Sequence, residues 1–222
     1  MVNIDTVYQK VLMFANKEQR GYITPQEFNL FADQAQVEIF EQYFYDIDFH
    51  AKRMGNSTEY SDLIHNINEK VTIFEKTAPL AGGSLNAIDL YRLGTVSSGN
   101  VEVEQVQQNE ILYLLNSPLT QPTLSRPVYV RNDTTIQIYP TTITSGTYTY
   151  VRKPTKPNWS YVVVNSKAMY DNSQAVHFEL HQSEESELVY KILKFAGVSM
   201  KRSELVQIAQ GAESLQVGQE KQ

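Results

Sequence analysis

No cysteine occurs in the sequence. That absence removes disulfides, thiolate nucleophiles and zinc–thiolate sites together, and it leaves the redox compartment open. Tryptophan occurs once, at position 159, and histidine four times. No apolar run approaches the roughly 20 residues that a bilayer-spanning helix needs, so no membrane partner is expected. The N-terminus, MVNIDTVYQK, lacks the charged-then-apolar pattern of a signal peptide, and folding in a cytoplasm is expected. Basic charge is also short, with 19 Lys and Arg against 25 Asp and Glu and a formal net charge of −6. Nucleic-acid binders usually carry a basic face that displaces counterions from phosphates. The balance disfavours a general role of that kind and leaves a local basic patch open.

What remains is ordinary in bulk and unusual in aromatics. Hydrophobic residues make up 41% and charged residues 20%, over a length of 222 residues. That suffices for one sizeable core, or one core with an appended layer. The 14 tyrosines and 9 phenylalanines suit either a protein that buries surface against partners or a tyrosine-rich core and sheet.

The spacing of Ile4, Val7, Tyr8, Val11, Leu12 and Ala15 predicts a helix over 3–16. Thr24, Pro25 and Glu27 form a start signal: an N-cap, a first-turn proline and the partner of a capping box. The following stripe of Phe28, Phe31, Ala32, Ala35, Ile39, Phe40 and Tyr43 carries a long helix to about Arg53, with Gly55 and Asn56 as the stop. A weaker helix is expected over 57–70. Strand signals then dominate in IDLYRLGTV, NVEVEQV, SGTYTYVRKP, SYVVVN and VHFEL. PVYVRNDTTIQIYP reads as a hairpin turning at Asn132 and Asp133, and 108–117 as a short helix. From Ser183, an expected cap, acidic residues crowd a first turn, and Leu188 to Ala196 form an apolar stripe ending at Gly197. A final short helix is expected after Ser203.

The order predicts an α+β fold. A helical hairpin or bundle occupies 1–75. A β-rich region, an antiparallel sheet or small sandwich or barrel, occupies 76–182. Helices over 183–215 pack back on the first helices, and 216–222 form a flexible tail.

Catalytic signatures are missing: there is no nucleophile elbow, phosphate-binding loop, dinucleotide fingerprint or zincin helix. His177, Glu179 and His181 in HFELH would share one face of a strand, as two histidines and a carboxylate. Same-face neighbours on a strand stand about 6.5–7 Å apart, however. Metal bonds of about 2 Å do not easily gather all three from one extended segment. A half-exposed strand running into an acid-capped helix is the preferred reading, and neither metal nor cofactor is expected. The segment VRKPTKPNW differs in kind. Arg152, Lys153 and Lys156 alternate with Pro154 and Pro157 and close on Trp159. Proline keeps such a segment extended and lowers the entropy lost on docking. Trp and Arg are frequent interface anchors. These residues, with Arg126 in SPLTQPTLSRPVYV, are the candidate interface, and Trp159→Ala is expected to weaken assembly more than it lowers the melting temperature.

VYQKVLMFANKEQRGYITPQEFNLFADQAQVEIFEQYF, IDLYRLGTV, SRPVYVR, YVRKPTKPNW and HFELHQSEESELVYKILKFAGV together resemble a structural protein of crAss-like and related short-tailed phages of Bacteroidetes. The resemblance spans residues 5–210 and carries no catalytic motif. It implies a non-enzymatic virion protein, assembled in the host cytoplasm, that forms a ring of the head-to-tail connector or tail barrel. The implied partners are further copies of the chain, as a dodecamer, the portal protein and neighbouring ring and tail proteins. Genomic DNA would pass through the lumen without specific binding. The alternatives are a minor head or capsid-associated protein and, from another class, a metal-dependent hydrolase using His177, Glu179 and His181.

Overall fold

The computed structural model describes residues 1–16, 23–52, 58–199 and 203–220. The expected stop at Gly55 and Asn56 lies outside them. The fold is α+β, with a curled six-stranded sheet, a small two-stranded sheet and a C-terminal helix packed on the N-terminal helices. No helix among the described residues is long and apolar enough to cross a membrane. The chain divides into two compact units, Met1–Ile73 with Pro154–Gln222, and Phe74–Lys153. Residues 154–182, grouped with the strands in the sequence, therefore belong with the helices.

In the helical unit, α1 (Ile4–Asn16) starts where the Asn3 side chain accepts the Asp5 N–H at 2.8 Å. It buries Val7, Tyr8, Val11 and Ala15 along one stripe. The capping box at the head of α2 (Pro25–Lys52, 28 residues) is present. The Thr24 hydroxyl accepts the Glu27 N–H at 3.2 Å, and the Glu27 carboxylate accepts the Thr24 N–H at 3.0 Å. The Thr24 N–H, and then the Thr24 hydroxyl donating to the same carboxylate oxygen at 2.8 Å, hold the Glu27 carboxyl below its ordinary range. Ile23 and Phe28, the staple positions either side of the cap, are buried. Next comes α3 (Thr58–Thr72), which packs on α2. The last two helices are α5 (Glu185–Ser199) and α6 (Ser203–Glu220), where α5 touches α1, α2 and α6.

Two sequence expectations need correction here. Gly197 does not end α5, which runs to Ser199, because its buried stripe of Leu188, Val189, Ile192, Leu193 and Ala196 outweighs glycine's penalty of about 1 kcal/mol. Ser183 does not cap it. Instead, His181 caps a 3₁₀ turn, Gln182–Glu184, that leads into the helix. Within the segment expected as a tail, residues 216–220 continue α6 to Glu220.

The second unit is the sheet: β1 (Glu75–Ala81), β2 (Leu90–Ser98), β3 (Val101–Gln105), β4 (Val128–Asn132), β5 (Thr135–Tyr139) and β6 (Ser145–Arg152), in the order β1-β6-β2-β3-β4-β5. It is mixed rather than purely antiparallel. β3 and β4 run parallel, and the link between them carries the short helix α4 (Ile111–Asn116). One face buries Leu80, Val96, Val103, Ile136, Ile138 and Tyr148. Val128 and Val130 on the other face of β4 pack with Ile111 of α4. That explains three successive buried residues on β4. Residues 83–85 join the end of β1 to β5: Ser84 bridges both Ala81 and Thr135, and the Gly83 carbonyl accepts the Ile136 N–H at 2.6 Å. Gly83 has φ of +78°, and a Cβ there would collide with the Ile136 carbonyl oxygen.

Candidate interaction site

The stretch from Pro154 to His181 returns from the sheet and is strapped across the helices by polar groups. Gln36 of α2, fully buried, donates its amide to the Thr155 carbonyl at 2.8 Å and accepts the Glu179 N–H at 3.1 Å. The Glu179 carboxylate takes the Thr155 N–H at 2.7 Å and its hydroxyl at 3.1 Å. The buried Gln36 amide thus meets a partner at both its nitrogen and its oxygen, which is the condition for burying it at low cost. Lys156 reaches Asp33 at 3.5 Å on the surface, a contact of little energetic weight.

Trp159 anchors the strap. Its indole N–H donates to Asp5 at 2.9 Å, and its backbone N–H donates to the Asn29 side chain at 2.8 Å. The ring lies 4.2 Å from Tyr8 and 5.8 Å from both Tyr161 and Tyr170. Only 3% of the residue is exposed. Trp159 is therefore a core residue of the helical unit, and the interface role read from the sequence does not fit its position. Pro157 is also buried, and Pro154 is half-buried. Arg152, buried at the end of β6, sets its guanidinium 5.8 Å from the Phe74 ring and donates to the Lys153 carbonyl. Lys153, Lys156 and Arg126 are exposed, and Arg126 stands 3.6 Å from Glu104. The basic segment is thus divided at Lys153 between the two units.

HFELH is extended but not a strand. It makes one lone bridge, Phe178 with Val2, and the preceding Val176 makes another with Asn158. His177 accepts the Ile4 N–H, Glu179 holds Thr155, and His181 accepts the Ser183 N–H. The three side chains each fasten a different neighbour. No group of three His, Asp or Glu among the described residues is placed to hold a metal.

No protein-family model matches the chain, and no curated protein matches it. The surface has to be read from its own chemistry.

That surface has two apolar patches that the sequence reading missed. The first is a hairpin, β7 (Tyr161–Val164) and β8 (Lys167–Tyr170). Its two-residue turn places Asn165 and Ser166 at φ of +50° and +62°, the requirement of a type I′ turn. Tyr161 and Tyr170 are cross-strand partners at the base and stack on Trp159. Beyond them Val162, Val163, Val164 and Met169 are exposed. The signal was legible: three successive valines in a two-stranded ribbon cannot all face inward. Nearby, the Ser173 hydroxyl and N–H hold the Asp171 carboxyl below its ordinary range. Burial, then the Asp5 and Asp171 carboxylates, push the Tyr170 phenol up. The second patch lies in the sheet unit, where Leu112, Tyr113, Leu119 and Leu124 are exposed along the crossover from β3 to β4. The sequence from Ile111 to Ser125 contains no charged residue.

Proposed function

We propose that this protein is a structural component of a phage virion. It forms an oligomeric ring in the neck or tail barrel below the portal, joins head to tail and lines the genome conduit. The observation that carries the reading is the set of exposed apolar side chains on the β7–β8 hairpin of one unit and on the uncharged segment 111–125 of the other. Soluble monomers seldom leave clustered large apolar side chains uncovered, and such clusters mark places where another protein sits. The resemblance of the long sequence segments to ring proteins of short-tailed phages supports the same reading. A ring subunit meets its neighbours through two different faces, closed by rotation, and needs further surface above and below. The acidic balance of −6 is compatible with a conduit that repels passing DNA.

The test is to purify particles, identify the chain by mass spectrometry and locate it in a low-resolution image of the virion. A closed ring of copies between portal and tail is expected. Absence of the chain from purified particles would overturn the proposal.

A further inference from the structure

We infer that HFELH is an acid-sensitive clasp on the N-terminal segment. As a neutral acceptor the His177 imidazole pins the head of α1, and protonation of that imidazole releases it. The inference concerns the single chain and does not rest on the virion reading.

The N–H groups at the head of α1 that have no partner inside the helix each meet an acceptor. Asn3 takes those of Asp5 and Thr6, at 2.8 and 3.4 Å. The Ile4 N–H goes to His177 Nδ1 at 3.4 Å. Just ahead, Val2 and Phe178 exchange N–H and carbonyl groups at 3.2 Å in each direction. Val2 and Ile4 are fully buried, whereas His177 is half-buried. A proton from solvent therefore reaches the imidazole, while water does not reach the amide that the imidazole accepts. A backbone N–H can only donate. Nδ1 must then carry its lone pair, which puts the proton of the neutral imidazole on Nε2. Protonation makes Nδ1 a donor facing a donor, and sets a positive charge against the positive end of the α1 dipole. The Ile4 amide is left buried without a partner.

The other titratable side chains of the segment answer acid differently. His181 Nδ1 accepts the Ser183 N–H at 3.3 Å, and the Ser183 hydroxyl oxygen stands 3.0 Å from the same nitrogen. That hydroxyl donates to Glu184 at 3.0 Å, so its oxygen can accept from a protonated Nδ1. The exposed His181 exchanges one partner for another, and His177 has no such second acceptor among the described residues. Glu179 holds Thr155 as a carboxylate, and carboxylates ordinarily take up a proton about two pH units below imidazoles. The charged groups on the surrounding elements are the Met1 amino group, Asp5, Lys10, Asp33, Lys70, Lys156, Glu184 and Glu185. Asp5 is engaged by the Trp159 indole, Asp33 by Lys156, Glu184 by Lys70 and Glu185 by Lys10, so each of these carboxylates already has a donor. Acid thus opens the N-terminal contact first and leaves the strap of 154–181 fastened.

The test uses the whole chain. Long-range proton–nitrogen spectra at about pH 8 should show His177 as the Nε2–H tautomer, and the Nδ1–H tautomer would overturn the inference. On acidification to about pH 5.5 the Ile4 amide resonance should follow the titration of the His177 imidazole, and an amide that stays still over that range would overturn it. His177→Asn keeps an acceptor near the place of Nδ1 and cannot be protonated there. Between about pH 7.5 and about pH 5.5 the wild-type urea midpoint should fall by roughly 0.3–1 M more than that of His177→Asn, and equal falls would overturn the clasp. His181→Asn should keep the wild-type fall, and a fall abolished by that variant instead would overturn the assignment to His177. If His177→Asn does not fold, the two spectroscopic measurements on the unaltered chain decide.

Discussion

Removing the Trp159 side chain should destabilise the helical unit. A buried tryptophan removes about 150–250 Å² from water, worth about 4–6 kcal/mol at about 25 cal/mol per Å². A compact unfolded chain lowers that by roughly 10–40%, to about 3–5 kcal/mol, which agrees with the usual loss for Trp→Ala in a core. Loss of the tilted contact with Tyr8 and the stacking contacts with Tyr161 and Tyr170 acts in the same direction. Asp5 also loses its indole donor, but it is only half-buried and water can replace that bond. Trp159→Ala should therefore lose about 3–5 kcal/mol. Trp159→Phe, which keeps most of the apolar contact, should lose about 1–2 kcal/mol through the missing hydrogen bond and reduced area. Urea unfolding followed by far-UV circular dichroism measures both, and wild-type indole fluorescence reports the same transition because there is one tryptophan. A loss under about 1 kcal/mol for Trp159→Ala, with assembly abolished, would refute the core assignment and restore an interface role.

Glu213→Gln should loosen α6, because Glu213 pairs with Lys191 at 2.7 Å and Lys194 at 3.2 Å; faster amide exchange confined to α6 is the expected readout. Burial pushes the Glu213 carboxyl up, but the two lysines outweigh it and its folded pKa is lowered from 4.5, so its contribution is present at neutral pH and lost as pH falls through that lowered value. Exchange at α6 that does not change on acidification would contradict this. Glu179→Ala should cost about 1–2 kcal/mol by releasing Thr155 from the strap, read as a shift in the urea midpoint. Gly83→Ala should destabilise the sheet unit by about 1–3 kcal/mol, since it combines a positive φ with a collision at the Ile136 carbonyl; an unchanged midpoint would mean that the junction of residues 83–85 with β5 relaxes freely.

Elements specified by adjacent residues could be read from the sequence. The box of Thr24, Pro25 and Glu27 set the start of α2, and the alternation on both sides of Asp133 set the β4–β5 hairpin. Elements that exist through distant partners could not. β1 contains Pro79 and buries only Leu80, so it has little strand character of its own and is held by pairing with β6. β8 carries Lys167 and Ala168, weak strand formers, and follows the register of β7. VHFEL has real alternation, yet its partners are single residues at Val2 and Asn158, and no ladder forms. Trp159 illustrates the same limit at the site. Composition could place it equally in a core or an interface, and only the convergence of Asp5, Tyr8 and Asn29 from distant helices decides.

The polar and apolar residues are distributed in an inverted way that bears on assembly. Gln36, Glu184, Glu187 and Lys191 are inside the helical unit, while Val162, Val163 and Met169 are outside. The interior polar groups are matched to specific partners: Glu184 meets Lys70 at 2.6 Å, and Lys191 meets Glu38, Glu187 and Glu213. Moving Lys191 or Glu184 away from its partners strands a buried charge, which is far more expensive than shifting one hydrocarbon contact. Hydrophobic packing alone tolerates alternatives, and a hairpin bearing four exposed apolar side chains could otherwise fold inward onto the helices. Directional bonds at Gln36, Thr155 and Glu179 fix the strap in one position, and the Trp159 anchor fixes the hairpin base. The apolar residues beyond that base therefore stay outside, available to a neighbour, without competing for the subunit's own core. Polar specificity within and uncovered hydrocarbon without are, on this account, two parts of one arrangement: the first holds in place the surface that the second offers.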